Sequence, residues 1–360
     1  MAIRRSSTAL LIIGFLLIAS AAAIKYLVVP QLSKLPEDAN GTSAFEGTLR
    51  RLDPATFGLG TGIPVSVDRT MAVDQVEGDT AVVTTTAVSH LPSGDATDTH
   101  TYAINRVDYS QAEPPNAVPV EDQRGGVTLS FPMNPSTDDA LVYDSVTRTA
   151  QPVSYTGTDT LAGREVYVFK GTSTAPVADP AVLTSLQAGI VALTRSGDGS
   201  TVPKAMLQAM IPALPADRAA AVQQALQTAP DQVPLAFTSV NELTLAVDTR
   251  FGSPLNSAQN RTTVLGIQSE DAAVPLVDLS QLQIATSEAS IQASAAKFAT
   301  NERKLNIVGV WVPLASALSG LVLIAVAILR RKPEHHGEEA TSGSGGDARE
   351  SDEQTADARG

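Results

Sequence analysis

Hydrophobic residues are concentrated in two long runs, one near each end of the chain. Residues 307–329 are apolar except for two serines, and three cations follow directly at 330–332. About 20 apolar residues in a helix cross the hydrocarbon core of a bilayer. Adjacent Lys and Arg residues mark the end of a span that stays in the cytoplasm. The pattern therefore predicts a transmembrane helix at 307–329.

The second run, at 9–29, follows Arg4 and Arg5 and is interrupted by one Ser and one Lys. A cleaved signal peptide is one interpretation, because a charged start, a short apolar stretch and a small-residue site at 19–21 fit one. An uncleaved transmembrane helix is the other. The apolar run continues to residue 29, well past the cleavage site, and this favours the uncleaved helix.

Positive charge lies before the first run and after the second, which predicts two cytoplasmic ends. Residues 1–8 and 330–360 are then cytoplasmic, and 30–306 form a large domain outside the plasma (inner) membrane. The tail at 330–360 is rich in Glu, Asp, Ser and Gly and has no side chains with which to build a core. We expect it to be disordered.

Between the two runs the hydrophobic pattern changes its period twice. Residues 42–175 alternate apolar and polar positions in short runs separated by Gly and Pro, which is typical of antiparallel strands. Residues 179–230 have helical spacing, with Asp179 placed to cap the first helix. Alternation returns at 236–268. The predicted fold class is α+β, an antiparallel β-rich extracytoplasmic domain with a helical insert between two transmembrane helices.

A juxtamembrane helix is predicted at 280–305. Ile284, Ile291, Phe298 and Leu305 recur at every seventh position, which places a narrow apolar stripe on one helix face. This stripe packs either on the domain itself or on a second copy of the chain. The second interpretation predicts self-association through residues 280–329.

Composition excludes several classes of function. The chain has no Cys, so disulfides and thiolate metal sites are excluded. The segment between the spans has 17 Lys and Arg against 30 Asp and Glu, which argues against nucleic acid as a partner. Neither a catalytic motif nor a set of metal ligands is recognisable, so we expect no catalytic residue, no cofactor and no metal. The lipid bilayer is the one partner that the sequence requires.

Four short motifs carry a resemblance to a known family. They are Gly126–Pro132, Tyr143-Asp144, Gly163–Phe169 and Val247–Gly252. In this order, between two apolar helices, they resemble the actinobacterial two-span envelope proteins named the porin PorA family. The resemblance departs at one point, since that family commonly has an aromatic residue between the Tyr and the Asp. It implies a role in the maturation of cell-envelope lipoglycans.

The family name also implies a pore, which the short strands and central helices do not favour. The strands resemble instead those of periplasmic lipoprotein carriers, which curl a sheet around helices to enclose an apolar cavity. This resemblance predicts a domain that binds or presents a lipid or lipoglycan. The expected lining of the cavity is Val166, Val168, Leu183, Leu186, Ile190, Met206, Met210, Leu243, Leu245 and Val247. The alternatives are a ligand-free scaffold, a receptor or adhesin, and, with less support, a pore or an enzyme.

Overall fold

The computed structural model of the chain describes residues 5–195, 197–269 and 272–330. The predicted disordered tail therefore lies, apart from its first residue, outside the described part. Helices and strands form two units, one made of the helices near the chain ends and one made of residues 23–312. In chain order the helices are α1 (Arg5–Ala23), α2 (Val29–Leu32), α3 (Pro180–Thr194), α4 (Lys204–Met210), α5 (Ala216–Thr228), α6 (Glu288–Asn306) and α7 (Val312–Leu329).

Two helical stretches are long and apolar enough, by length and composition, to cross a membrane. They run from Ser7 to Leu32 and from Glu288 to Leu329, each with a short π-helical segment inside it. Both coincide with the predicted spans at 9–29 and 307–329. The second stretch includes α6, so the apolar part of the chain is joined to a polar helix without a break.

Small residues line the contact between α1 and α7. The buried residues of α1 are Ser7, Gly14 and Ala21, and those of α7 are Pro313, Gly320 and Ala327. Both sets recur at every seventh position. A Cβ on Gly14 would lie 2.8 Å from the carbonyl oxygen of Gly320, and a Cβ on Gly320 would lie 2.6 Å from that of Gly14. The two backbones therefore touch, as they do in membrane helices that pack through small residues.

The domain is built on one antiparallel sheet, which confirms the predicted fold class. Its order is β5-β4-β3-β1-β12-β11-β10-β8-β7-β6, with β2 beside β1 and β9 beside β10. The strands are β1 (Asn40–Asp53), β2 (Gly58–Leu59), β3 (Ile63–Glu77), β4 (Thr80–Leu91), β5 (Gly94–Asn105), β6 (Ala140–Asp144), β7 (Thr149–Leu161), β8 (Arg164–Pro176), β9 (Thr201–Pro203), β10 (Gln232–Asp248), β11 (Pro254–Ile267) and β12 (Val274–Thr286).

The sheet is curled so strongly that its two ends meet. Tyr102 on β5 and Tyr143 on β6 belong to the strands at opposite ends of the order, yet their rings pack edge to face at 5.9 Å. Val142, the neighbour of Tyr143, points the other way, into the cluster around Phe169. Strand β6 thus lies inside the curl with core on both of its faces. We call the inner face of the sheet concave and the outer face convex.

Helices α3, α4 and α5 cover one end of the concave face. Their apolar side chains share a core with Phe237, Leu265 and Val277 from β10, β11 and β12. Asp179 caps α3 as predicted, since its carboxylate accepts the N–H groups of Ala181 and Val182. The helical insert therefore closes one end of the curl.

Helix α6 covers part of the convex face, and it begins later than predicted. Residues 280–286 belong to β12, and Ser287 caps the helix that starts at Glu288. The prediction of a helix from 280 was wrong because Leu282 and Ile284 also fit a two-residue alternation. In the strand they pair with β1 and β11, each of which would otherwise have one unpaired edge.

Candidate functional site

The four motifs behind the family resemblance meet inside the curl. Gly126 passes so close to β6 that a Cβ there would lie 2.7 Å from the backbone nitrogen of Tyr143. Phe131 stacks on Phe169 with 5.1 Å between the ring centroids. The backbone N–H of Phe131 donates to the carbonyl of Gly252 at 2.9 Å. Segment 126–132 is thus held against β6, β8 and the β10–β11 hairpin at once.

Asp144 at the end of β6 is the centre of a buried hydrogen-bond network. Its carboxylate accepts from Arg261 Nη2 at 2.7 Å, from Gln151 Nε2 at 2.5 Å and from Thr147 Oγ1 at 3.1 Å. Its side chain is 5% exposed and that of Arg261 is 12% exposed. Because β6 and β11 are far apart in the sheet order, this ion pair fastens the inner strand to the opposite wall.

The network continues across the concave face by amide groups alone. Asn241 Nδ2 donates to Gln151 Oε1 at 3.0 Å, and Gln259 Nε2 donates to Asn241 Oδ1 at 2.9 Å. Strands β6, β7, β10 and β11 are therefore linked by one chain of polar side chains. Such a network is stabilising when its members are satisfied, and it fixes the position of the strand that it holds.

A second polar cluster lies on the other side of β6. His100 contacts Asp98 at 2.9 Å through Nε2 and Glu121 at 2.5 Å through Nδ1. These two hydrogen bonds, that with Asp98 first, raise the pKa of His100 to about 10. The hydroxyl of Tyr143 donates to the same Glu121 at 3.0 Å. The imidazole is therefore charged at neutral pH and is held by two carboxylates.

This cluster also reaches the helical insert. Arg148 lies 3.1 Å from Asp179, the cap of α3, and 3.9 Å from Glu121. The same His100 holds the pKa of Asp98 below its usual value. Three carboxylates here share two cations, His100 and Arg148, and such interlinked ion pairs are typical of a structural role. Among the described residues, no group of three His, Cys, Asp or Glu side chains is placed to hold a metal ion.

Between the two polar clusters the concave face has an apolar surface that the rest of the chain leaves partly uncovered. The register shows that its members share one face, since Phe45 pairs with Val67 and Leu49 pairs with Leu282. Gly47 lies between them and pairs with both Val65 and Ile284. We call this surface the apolar wall; it consists of Phe45, Leu49, Val65, Val67, Leu282 and Ile284.

The apolar wall is only partly covered. Within the described residues, none of its six side chains belongs to any of the four core clusters. Val65 and Val67 are buried, whereas Phe45, Leu49, Leu282 and Ile284 are only half-buried. A Cβ added at Gly41, on the same face of β1, would meet nothing within 4 Å. There is open space over this part of the sheet.

The lining predicted from the sequence is distributed over different parts of the domain. Ile190 lies in the core under the helices, where Leu183, Leu186 and Met210 pack against it. Leu243, Leu245 and Val247 belong to the core around Phe169. Val166 faces α6 on the convex side, and Val168 shares that face. Met206 belongs to none of the four core clusters. The predicted residues therefore do not line one cavity.

The helical insert does form two clefts. One, of about 430 Å³, lies beside α3 and is bounded by Leu183, Phe237 and Pro176. The other, of about 510 Å³, lies between α4 and α5. The insert covers the 233–237 end of β10 and leaves the 243–247 end to the core around Phe169. The predicted lining residues of β8 and β10 are thus not covered by these helices.

Comparison with solved structures adds no argument about fold or function. The matches include a protein named as a thioesterase II from Thermobifida fusca, at 14% identity over 73% of this chain and 85% of that one, with a TM-score of 0.12. They also include the dehydratase domain of RzxB from Pseudomonas fluorescens, at 10% identity over 69% and 76%, with a TM-score of 0.09. None of the curated proteins matches the chain.

The family comparison covers nearly all of the described chain. The model of the family described as Porin PorA matches residues 6–329. The match includes both apolar helices, the whole curled sheet and the four motifs that converge on β6. The chain therefore belongs to the Porin PorA family, and it is a membrane protein of that family with two apolar helices.

Proposed function

We propose that this protein is anchored in the plasma membrane by two spans, with both chain ends in the cytoplasm, and that its domain at 30–306 lies outside. There the domain binds or presents a lipid or lipoglycan during assembly of the cell envelope. The observation that carries the proposal is the apolar wall on the concave face, four of whose six side chains the described chain leaves half-buried.

The physical argument starts from the cost of exposed apolar surface. Each Å² of apolar surface removed from water contributes about 25 cal/mol, so the four half-buried side chains of the wall favour a ligand that covers their exposed part. The wall is a strip one to two residues wide across β3, β1 and β12. An acyl chain has the length and flexibility to lie along such a strip.

The pore implied by the family name has less support. The convex side of β1 carries Thr42, Glu46, Thr48 and Arg50, all of them exposed. A strand that faces lipid needs an apolar row on that side. The inside of the curl also holds β6, segment 126–132 and two core clusters. A scaffold or receptor without a lipid ligand is the main alternative. It predicts that the domain binds a protein partner and that no lipid is bound to the apolar wall.

The test is photo-crosslinking in native membranes with the full chain. Phe45→p-benzoylphenylalanine places the photoreactive group on the apolar wall, and the same residue at Thr48 places it on the convex face of the same strand. We expect mass spectrometry to find a lipid adduct at position 45 and none at position 48. Equal adducts at both positions, or none at 45, would overturn the proposed function.

A further inference from the structure

Among the described residues, Arg69 on the concave face has no counter-ion. Arg69 lies on β3 two residues from Val67 of the apolar wall, on the same face of the strand. It pairs with Ser43 on β1 and with Ala87 on β4. Arg69 therefore lies at the edge of the apolar wall, beside the open space over Gly41.

Two arginines near the concave face are ion-paired, whereas Arg51, which follows Leu49 by two positions on β1, also has no ion pair among the described residues but is exposed. Arg261 has Asp144 at 2.7 Å and Arg148 has Asp179 at 3.1 Å. Within the described residues, Arg69 has neither an ion pair nor a hydrogen bond. Burial lowers the pKa of its guanidinium, although part of the side chain still reaches solvent. A desolvated charge without a partner is unfavourable, and an anion that pairs with it removes that cost.

The nearby carboxylates do not supply the missing charge. Asp98, which shares a row of the sheet with Ala87 and Arg69, is already bonded to His100. Glu121 is bonded to His100 and to the hydroxyl of Tyr143. Neither carboxylate is ion-paired with Arg69, so within the described residues its guanidinium lies beside an apolar surface without a counter-ion.

We propose that Arg69 binds the phosphate of an anionic lipid whose acyl chain lies on the apolar wall. This assignment rests on the proposed function and adds the headgroup to it. A guanidinium offers two parallel N–H donors to phosphate oxygens, and the Ser43 hydroxyl opposite it is a further donor on the same face. The gap over Gly41 gives room for the headgroup, and Val67 with Phe45 begins the path of the chain.

The experiment uses the purified full chain in detergent and two photoreactive lipids with identical diazirine-bearing acyl chains. One carries a phosphate monoester headgroup, as in phosphatidic acid, and the other is the neutral diacylglycerol. Adducts are mapped to peptides of β1 and β12 for the native protein, Arg69→Gln and Arg69→Lys. Arg50→Gln, on the convex face of β1, is the matched control.

We expect the native protein to capture the phosphate lipid about ten- to a hundredfold better than the neutral one, as a charge-assisted hydrogen bond allows. Arg69→Gln should remove this preference, Arg69→Lys should keep most of it, and Arg50→Gln should not change it. The melting temperature of Arg69→Gln should hold or rise, because no native ion pair is lost. A merely structural role of Arg69 would lower it.

Two results would overturn the assignment, and they differ in what else they imply. If native protein and Arg69→Gln capture both lipids equally on β1 and β12, the headgroup site is wrong while the wall still binds lipid. If neither lipid reacts with these strands in the native protein, the headgroup site and the proposed function both fail.

Discussion

Two parts of the concave face have the same alternating pattern of apolar and polar residues, but they differ in burial. On β8 and β10, Phe169, Leu245 and Val247 are buried under Phe131 and Val153. On β1 and β12, Phe45, Leu49 and Ile284 alternate with polar residues in the same way, yet they face no core cluster. Alternation in the sequence therefore shows that a face is apolar, but it does not show what covers that face.

The difference is produced by a short piece of chain. Segment 126–132 and strand β6 pack on the β7–β8–β10 side, held there by the Asp144–Arg261 ion pair and by the hydrogen bond from Phe131 to Gly252. Leu129 and Tyr143 also pack on the core beside β3, β4 and β5. Most of the face is thus core, and the half-buried side chains of the apolar wall are the part that is available for a ligand.

The largest effect is expected from paired truncations, one on each half. Phe169→Ala removes a fully buried ring stacked on Phe131 and should cost about 3–5 kcal/mol of unfolding free energy. Phe45→Ala removes a half-buried ring from the apolar wall and should cost about 1 kcal/mol or less. Denaturant unfolding of the full chain in detergent measures both. Equal losses would show that the apolar wall is core and not a surface.

The next largest loss of stability is expected when the Asp144–Arg261 ion pair, which holds β6 in place, is removed. Asp144→Ala leaves Arg261 buried without its counter-ion, which should cost about 3–5 kcal/mol. Asp139→Ala, at an exposed carboxylate just before β6, should cost less than about 0.5 kcal/mol in the same unfolding experiment. If both variants unfold alike, Asp144 does not anchor the strand.

The hydrogen bonds of His100 on β5 with Asp98 and Glu121 predict how stability depends on pH. The pKa of His100 is raised to about 10, so its contribution is complete below the unfolded value near 6.5 and is lost as the pH rises through 10. The pKa of Asp98 is lowered, so its contribution is present above the unfolded value near 3.8 and is lost as the pH falls through the folded value.

Between pH 6.5 and 10, His100 is neutral in the unfolded chain but still protonated in the folded protein. The free energy of unfolding should therefore fall over this range by roughly 1.4 kcal/mol for each pH unit. His100→Gln should flatten this slope, whereas His90→Gln, at an exposed histidine of the neighbouring strand, should change it much less. Melting temperatures across that pH range measure the slope. An unchanged slope in His100→Gln would contradict the assignment.

The smallest effect on stability is expected when one methyl group is added, by a Gly→Ala substitution, to each of the two parts of the face. A Cβ at Gly171, on the covered side, would lie 2.3 Å from the carbonyl oxygen of Pro152, so Gly171→Ala should destabilise by about 1–3 kcal/mol. At Gly41 the same change meets open space and should stabilise by about 0.4–1 kcal/mol, because it restricts the unfolded chain. Thermal melts of the two variants should shift in opposite directions. A destabilised Gly41→Ala would mean that the space is filled.

Much of the fold could be predicted from local pattern. Length and apolarity located both long helices, Pro and Gly between alternating runs indicated an antiparallel sheet, and Asp179 marked the start of α3. Strand β12 was missed because Ile284 and Ile291 also fit a seven-residue helical stripe. That ambiguity is decided by the neighbouring strands β1 and β11, which are distant in sequence.

The site was harder to predict for the same reason. Phe45 and Ile284 lie on neighbouring strands although about 240 residues separate them in the chain, so no local window contains both. Alternation within β1, where Phe45, Gly47 and Leu49 are interrupted by Glu46 and Thr48, was the available signal for the two wall residues of that strand. Which apolar face stays uncovered depends on where β6 lies, and that is set by the long-range Asp144–Arg261 pair.

The contact of Gly14 with Gly320 also has a consequence for the order of events during synthesis. The first helix leaves the ribosome roughly 300 residues before its partner, which is about 15–60 s at 5–20 residues per second. Throughout that interval its row of Ser7, Gly14 and Ala21 has no matching backbone to pack against. A protease that removed residues 1–23 in this window would leave Pro313, Gly320 and Ala327 with no matching surface, so retention of the first helix decides whether the last one is paired.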